Sequence, residues 1–267
     1  MSNDEEVGRY YDEVIFEEEL TRLPREFPIE LALTLRVLER HVPPGARVLE
    51  VGVGGGHYTR WLAARGCRLH LVDVSRRLLD TVSSQVPEAL RGATYASAAD
   101  LRTLPDAEFD AVVSLGPFYH LLELHGRRAA VRESARLLTA HGRLIAAGIN
   151  RLAYFRSLYL RQPERVLERR AYHERFLRDG LLTPEVAPPI GHAHLTTLEE
   201  FRGLFRPEFN EIELIGVESF AAAGQAAFND LPPDTADAWL DLIERTAFTP
   251  EGIATSDHWL FVGRRAQ

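Results

Sequence analysis

Short apolar runs alternate along this chain with segments of helical spacing. The runs Arg47-Val-Leu-Glu-Val51, Leu69-His-Leu-Val72, Phe109-Asp-Ala-Val-Val-Ser-Leu115 and Gly142 to Gly148 end in glycine, proline or polar residues and predict buried strands. A shorter strand is expected near Ala93 to Ala96. Between the runs, His57 to Arg65, Ser75 to Gln85 and Gly126 to Leu138 carry the spacing of amphipathic helices. Strands that alternate with helices predict a parallel sheet covered on both faces, an α/β fold.

Two regions depart from that rhythm. Residues 1–44 read as a helical cap: Tyr10-Tyr11-Asp12 opens an acidic helix running through Glu19, and Ile29 to His41 forms a second, closed by Pro43-Pro44-Gly45. A core is expected over 45–150. Residues 151–195 predict a helical lid, rich in arginine and aromatic residues and punctuated by Pro163, Pro184, Pro188 and Pro189. Residues 196–267 resume the core, with a helix Thr197 to Phe205, a strand Phe209 to Phe220, an alanine-rich helical stretch to about Thr249 and a last strand Asp257 to Arg264.

Composition narrows the class of partner. The chain has 267 residues, 45% of them apolar, enough to bury a full core. A formal charge of −8 argues against a nucleic-acid surface, which needs a concentrated basic face. All basic side chains other than histidine are arginines, as in a high-GC bacterial genome. The single cysteine, Cys67, excludes internal disulfides and cysteine-rich metal sites. No run approaches the ~20 apolar residues of a membrane span, and the acidic start lacks the basic head of a signal peptide. A cytoplasmic protein with no nucleic-acid or membrane partner is expected, either monomer or homodimer.

The chemistry concentrates at the predicted strand ends. After the first strand, Gly52, Gly54 and Gly56 permit a tight turn that opens a helix, and Glu50 stands at its lip. In the dinucleotide fingerprint the third glycine falls five residues after the first; here that place is His57, and the pattern fails. Glu50 would repel a pyrophosphate and attract an ammonium group, so the turn points to a cationic ligand. Asp73, at the end of the second strand, is placed either to reach ribose hydroxyls or to cap the helix near Ser75. Asp100, after Ala96-Ser-Ala-Ala99, is placed to meet the amine of an adenine with Leu101 beside the base, or else is a solvated loop residue. Leu115 and Gly116 bring backbone near the ligand at the exit of the fourth strand, and Pro117 to His120 line the reacting centre.

These residues resemble the class I S-adenosylmethionine-dependent methyltransferases. The resemblance runs through Val48-Leu-Glu-Val-Gly-Val-Gly-Gly-Gly56, Leu71-Val-Asp73, Ala99-Asp-Leu101, Phe109 to Leu115 and Glu133-Ser-Ala-Arg-Leu-Leu-Thr-Ala-His-Gly-Arg-Leu144, covering residues 45–150. The chain departs at Thr139-Ala-His-Gly142, where the family commonly has a lysine, a proline and two glycines. The resemblance implies a Rossmann-like sheet of seven strands, six parallel and the last antiparallel. It implies S-adenosylmethionine as cofactor, with Glu50 and the backbone of Gly52, Gly54 and Gly56 at its methionine portion. Asp73 would lie at the ribose, Asp100 and Leu101 at the adenine, and Val74 and Leu115 would be further cofactor contacts. Tyr10 and Tyr11 resemble a tyrosine pair that lies over the cofactor in small-molecule members; the alternative is a packed helix. Arg22 is a further cofactor-side candidate.

The expected reaction is in-line methyl transfer to a small-molecule acceptor, with His120 as base and Tyr119 as its orienter. Tyr10, Phe118, Tyr154, His192 and His194 are candidate substrate contacts. In the lid, Arg151, Arg156 and Tyr159 offer a surface for an anionic or aromatic molecule, or pair with Glu164, Glu168 and Glu174. His192 and His194 lack a third ligand at a convincing spacing, so no metal is expected. Another displacement at the sulfonium, or a cyclisation that uses the cofactor as scaffold, has the same cofactor motifs. A nicotinamide dehydrogenase is disfavoured by His57 and Glu50, and a non-catalytic binding protein keeps the fold without the reaction. The Asn/Asp-Pro-Pro-Tyr sequence of base-amine methyltransferases is replaced by Ser114-Leu-Gly-Pro-Phe-Tyr119.

Overall fold

The computed structural model describes residues 2–183 and 192–266. Helices α1 (Asn3–Glu13), α2 (Phe16–Glu26) and α3 (Pro28–His41) lead into the core. The core follows as β1 (Arg47–Val51), α4 (His57–Ala64), β2 (Arg68–Asp73), α5 (Arg76–Gln85), β3 (Leu90–Tyr95), β4 (Phe109–Ser114), α6 (Pro117–His120), α7 (Leu124–Leu137) and β5 (Leu138–Ile149). Next come α8 (Arg151–Arg161), α9 (Arg165–Glu168), α10 (Arg170–Asp179) and a small hairpin, β6 (Leu181–Leu182) with β7 (Ala193–His194). The chain closes with α11 (Leu198–Phe205), β8 (Phe209–Gly216), a 3₁₀ helix (Ser219–Asp230), α12 (Pro233–Ala247), α13 (Pro250–Thr255) and β9 (His258–Arg265).

The seven-stranded sheet has the order β3-β2-β1-β4-β5-β9-β8. β1 pairs parallel with β2 and β4, and β9 runs antiparallel to both β5 and β8. Six strands therefore run together and the last is reversed, as expected. Side chains alternate between faces with the period of two that a strand imposes. Val48, Ala111, Val113, Ile145, Leu260 and Val262 join the core that contains Leu33, Leu62, Leu78 and Ile243 of α3, α4, α5 and α12. Leu49, Val112, Leu144, Ala146 and Phe261 join the opposite core with Val131 and Phe205 of α7 and α11. Each such buried aliphatic side chain contributes about 1.5–3 kcal/mol, and a one-residue slip would exchange the two cores. Among the described residues no helix is long and apolar enough to cross a membrane.

Two expectations at the element level are corrected. The acidic segment is not one helix: Val14 N and Ile15 N both bond Tyr10 O, and the chain bends there before α2. The strand expected to run to Phe220 ends at Gly216, where a Cβ would lie 2.6 Å from Gly252 O. Ser219 then takes φ 50° and starts the 3₁₀ helix.

The bend matters because it lets α1 and α2 lie over the carboxyl ends of the strands. A capping box between Ser2 and Glu5 starts α1. The Asp12 carboxylate accepts from Ser75 Oγ and from Arg77 N at 3.1 Å, joining α1 to the start of α5. Asn3 Nδ2 donates to His120 O at 2.6 Å. Helices α8 and α10 enclose Phe176, Leu182 and Leu195, with Tyr154, Phe155 and Tyr172 around them. Arg151 does not face a substrate: it is buried, donates to Leu177 O and Leu195 O at 3.2 Å, and pairs with Glu200 at 2.6 Å. Arg156 bonds Asp257 at 2.7 Å, and Tyr159 is exposed. Of the predicted lid, Pro184, Pro188 and Pro189 lie outside the described residues.

The seat of α1 depends on Gly8, where a Cβ would lie 2.1 Å from Val74 O. Gly8→Ala is expected to lift α1, lowering stability by about 1–3 kcal/mol in urea unfolding and exposing residues 3–13 to early proteolysis. An unchanged midpoint and cleavage pattern would show that α1 is not held there.

Candidate active site

The site is built from strand ends. β1 leaves the sheet at Val51, and Gly52 takes φ +81° while its N–H donates to Val72 O at 2.8 Å. A Cβ at Gly52 would lie 2.8 Å from Pro117 Cδ, so no other residue fits between β1 and the start of α6. Gly54 and Gly56 also have positive φ, and Gly56 is the residue before α4. Helix α2 presses on this turn, for a Cβ at Gly55 would lie 2.5 Å from Glu19 O. Glu19 carries a salt bridge to Arg22 at 3.1 Å, and the Arg22 guanidinium stands over the Phe27 ring.

Beneath the turn lie two acids. Glu50 is 2% exposed, and its Oε2 has no partner in good hydrogen-bond geometry; the Thr59 hydroxyl beside it lowers the carboxyl only in part. Burial pushes the Glu50 carboxyl up to about 8, with the charge of Asp73 adding to the rise. Asp73 Oδ2 accepts from Val53 N and Oδ1 from Ser75 N, each at 2.7 Å. Ser75 Oγ itself caps α5 through Leu78 N. Burial still lifts Asp73 to about 6 against those bonds. The Gly54 N–H also acts on this carboxylate, and the acceptor capacity left beyond these backbone bonds is what a ligand's hydroxyls would use.

Other predicted residues are distributed unevenly. Val74 lies under Gly8, and Leu115 packs at the edge of the core at the exit of β4. Leu101 is buried, its N–H donating to Glu133 at 3.0 Å. Asp100 is not brought to the site: its carboxylate is exposed and bonds Arg102 at 2.7 Å. The tyrosines of α1 are in place. Tyr11 Oη is 2.9 Å from His120 Nε2, their rings at 90°, and Tyr10 packs edge-on against Tyr11. Tyr10 has a buried hydroxyl with no partner, and burial pushes its phenol up to about 12, a weaker acid.

The bonds of His120 fix its tautomer. Its Nδ1 is 3.1 Å from His192 O, which only accepts, so Nδ1 carries the hydrogen and Nε2 receives the Tyr11 hydroxyl. Burial pushes the imidazole down to about 4, leaving it neutral at physiological pH. Tyr119 packs against His120 and is held well above the usual phenol range by burial. His192 Nδ1 stands 3.3 Å from Glu6 of α1. Nearby, a cavity of about 330 Å³ is lined by Phe118, Tyr119, Arg127, Ile149, His194 and Phe201 among others. His194, lowered by burial to about 4, is neutral there. Tyr154 turns into the aromatic cluster of the lid, bonding His173 at 3.1 Å.

Sequence comparison matches residues 49–146 to the methyltransferase domain family. The chain is 30% identical over 176 residues to the ubiquinone biosynthesis O-methyltransferase of Xanthomonas oryzae pv. oryzae, covering 64% of this chain and 71% of that one. It belongs to the class I S-adenosylmethionine-dependent methyltransferases. The fold of this methyltransferase is similar to that of the N-methyltransferase NodS from Bradyrhizobium japonicum in complex with S-adenosylhomocysteine (TM-score 0.55, 16% identity, 94% and 96% of the two chains). It is also similar to the [4+2]-cyclase SpnF (TM-score 0.63, 17% identity, 98% and 95%). The cofactor of the methyltransferase is S-adenosylmethionine, and the residues present fit it. The unpartnered oxygen of Glu50 suits an ammonium, the Asp73 carboxylate suits a diol, and glycines at positive φ suit a close backbone contact.

Sequence reasoning missed Asp12 and Glu19, which only the docking of α1 and α2 brings to the site. The acidic run that contains them reads simply as a solvated helix face.

Glu50 sets a pH signature. The folded protein holds its proton up to about 8 against an ordinary value of 4.5, so between those limits it binds more protons than the unfolded chain. Its contribution to stability therefore falls as pH rises through this window. Glu50→Gln is expected to gain about 1–4 kcal/mol over the parent at pH 8 relative to pH 5, read by urea unfolding at both values. Equal differences at the two pH values would contradict the burial argument.

Proposed function

We propose that this methyltransferase acts on a small-molecule acceptor, held beside α6 among Phe118, Tyr119 and His194. The observation that carries the reading is the enclosure of the site by α1, α2 and the lid segment, with an adjoining cavity of about 330 Å³ sized for a small organic molecule. The formal charge of −8 supports it against a nucleic-acid acceptor.

When bound, S-adenosylmethionine supplies a methyl carbon activated by positive sulfur. Glu50 would hold the ammonium of the methionine portion with the backbone of Gly52 to Gly56, and Asp73 would accept from the ribose hydroxyls. Leu101 would hold the base with Val74 as a further contact, and Tyr11 would offer its face to the positive cofactor, a contact worth about 0.5–2 kcal/mol. Asp100 reaches the adenine only after leaving Arg102. The packed tyrosines and α1 exclude water, which keeps the methyl group for the acceptor.

The tautomer of His120 defines its part. Its only free lone pair is directed at Tyr11, so a proton leaving the acceptor passes to Tyr11 Oη as the phenol hydrogen moves to His120 Nε2. Tyr119 holds the imidazole against rotation.

Three measurements test this reading. Asp73→Ala should weaken S-adenosylmethionine binding in calorimetry by about 1–3 kcal/mol; an unchanged affinity removes Asp73 from the ribose. With an accepted substrate, Tyr11→Phe and His120→Ala should each lower kcat by about 100-fold or more. They should leave the cofactor Kd within a few-fold, whereas an equal loss in Kd would make them cofactor contacts only. Mass spectrometry of the product should find S-adenosylhomocysteine; methylthioadenosine would overturn the proposed methyl transfer.

A further inference from the structure

A second polar cluster lies on the same edge of the sheet, outside the machinery just described. Glu30 comes from the first turn of α3, Glu218 from the turn after β8, and His258 from the first position of β9, opposite Ile149. One donor atom from each lies within 4.8 Å of the others. His258 Nδ1 bonds Glu218 Oε1 directly and stands 3.5 Å from Glu30 Oε2. Donors around one first-row divalent ion, with bonds of about 2.0–2.2 Å, stand roughly 3–3.5 Å apart. The three side chains therefore need only small adjustments to share an ion.

The environment favours one. Glu218 is fully buried and held rigidly: Oε2 accepts from Ser256 Oγ at 2.6 Å, His258 N at 2.9 Å and Asp257 N at 3.2 Å. Its Oε1 receives His258 and a long bond from Gln225 at 3.4 Å, so a cation would enter by displacing the His258 hydrogen. The Glu30 carboxylate is largely buried, and no hydrogen-bond donor among the described residues reaches it. The cations nearby are committed, Arg22 to Glu19 and Arg156 to Asp257. The Phe27 ring packs edge-on against His258 and shields the cluster.

We propose that Glu30, Glu218 and His258 form a binding site for one divalent first-row cation, with zinc or manganese as the fitting class. Imidazole with two carboxylates suits these ions better than calcium, which takes six to eight oxygens. Binding exchanges the Nδ1 hydrogen, released to solvent, for the metal at Nδ1. Three protein ligands leave a position open, as in catalytic rather than structural sites. That position lies on the edge of the sheet that carries Glu50 and the β4 exit, where it would meet an oxygen of the acceptor; this last step alone rests on the function proposed above.

The test needs no acceptor, so its failure is distinguishable from failure of that function. The full chain is stripped with a chelator and titrated with zinc chloride and manganese chloride against a chromogenic competitor, with cobalt substitution as a spectroscopic readout. One ion per chain is expected, with affinity lowered about 100-fold or more in Glu30→Gln and in His258→Gln, and with visible cobalt bands lost in both. Circular dichroism of the metal-free variants checks their fold; Glu30→Gln, at a partly exposed position, decides if His258→Gln is unstable. Absence of stoichiometric binding, or wild-type affinity in a folded Glu30→Gln, would overturn the site. Binding abolished instead by His192→Gln would place the ion between Glu6 and His192 and would overturn it equally.

Discussion

Glu50 and Asp73 are carboxylates buried side by side at adjacent strand ends, and the rest of the site is arranged around that constraint. Water is kept from both by α1, α4 and the glycine turn. Asp73 is compensated by backbone N–H groups, among them those of Val53 and Ser75, whereas Glu50 has only the Thr59 hydroxyl beside it. Glu50 keeps an oxygen without a partner, and burial holds it protonated near neutrality. An unpaired buried acid costs stability, and a bound cation offsets that cost. The same logic explains the cover. Helix α1 is tied through Asp12 to the start of α5, and α2 lies on the glycines with its own acid, Glu19, neutralised by Arg22.

How far the sequence led depended on the range of the interaction. The β1 run, its glycines and Asp73 were legible because a strand, a turn and a helix start are local, and the reversed last strand followed from the resemblance. The bend at Val14 was not legible, because both halves of the acidic segment are good helix and the break comes from docking on Val74 and Gly55. Asp100 was placed at the adenine from its position after a strand, yet the neighbouring Arg102 draws its carboxylate outward. Arg151, read as a surface for an anion, instead fastens the lid to α11 through Glu200. His120 was found by its place after β4, while its bond to Tyr11, 109 residues away, belongs to the tertiary structure alone. The trio Glu30, Glu218 and His258 is dispersed in the same way.

Fold and family therefore carry different weights. Sheet order and strand direction are shared with an N-methyltransferase and with a cyclase alike, so the architecture does not select the reaction. The sequence match selects the family and its cofactor. In this chain the cover is tied to the β4 exit by Tyr11 bonded to His120, His120 bonded to His192, and Asn3 bonded to the His120 carbonyl. Those contacts join the proposed cofactor cover and the proposed proton path in one hydrogen-bonded assembly.

In the proposed function the buried Glu50 acid beneath the glycine turn receives the positive cofactor. Calorimetric titration with S-adenosylmethionine near pH 7, in buffers of different ionisation enthalpy, measures the protons exchanged on binding. Glu50 begins protonated and loses its proton to solvent when the ammonium arrives, so proton release is predicted, and it should vanish in Glu50→Gln. Binding with no proton release, or with the same release in the glutamine variant, would contradict the account.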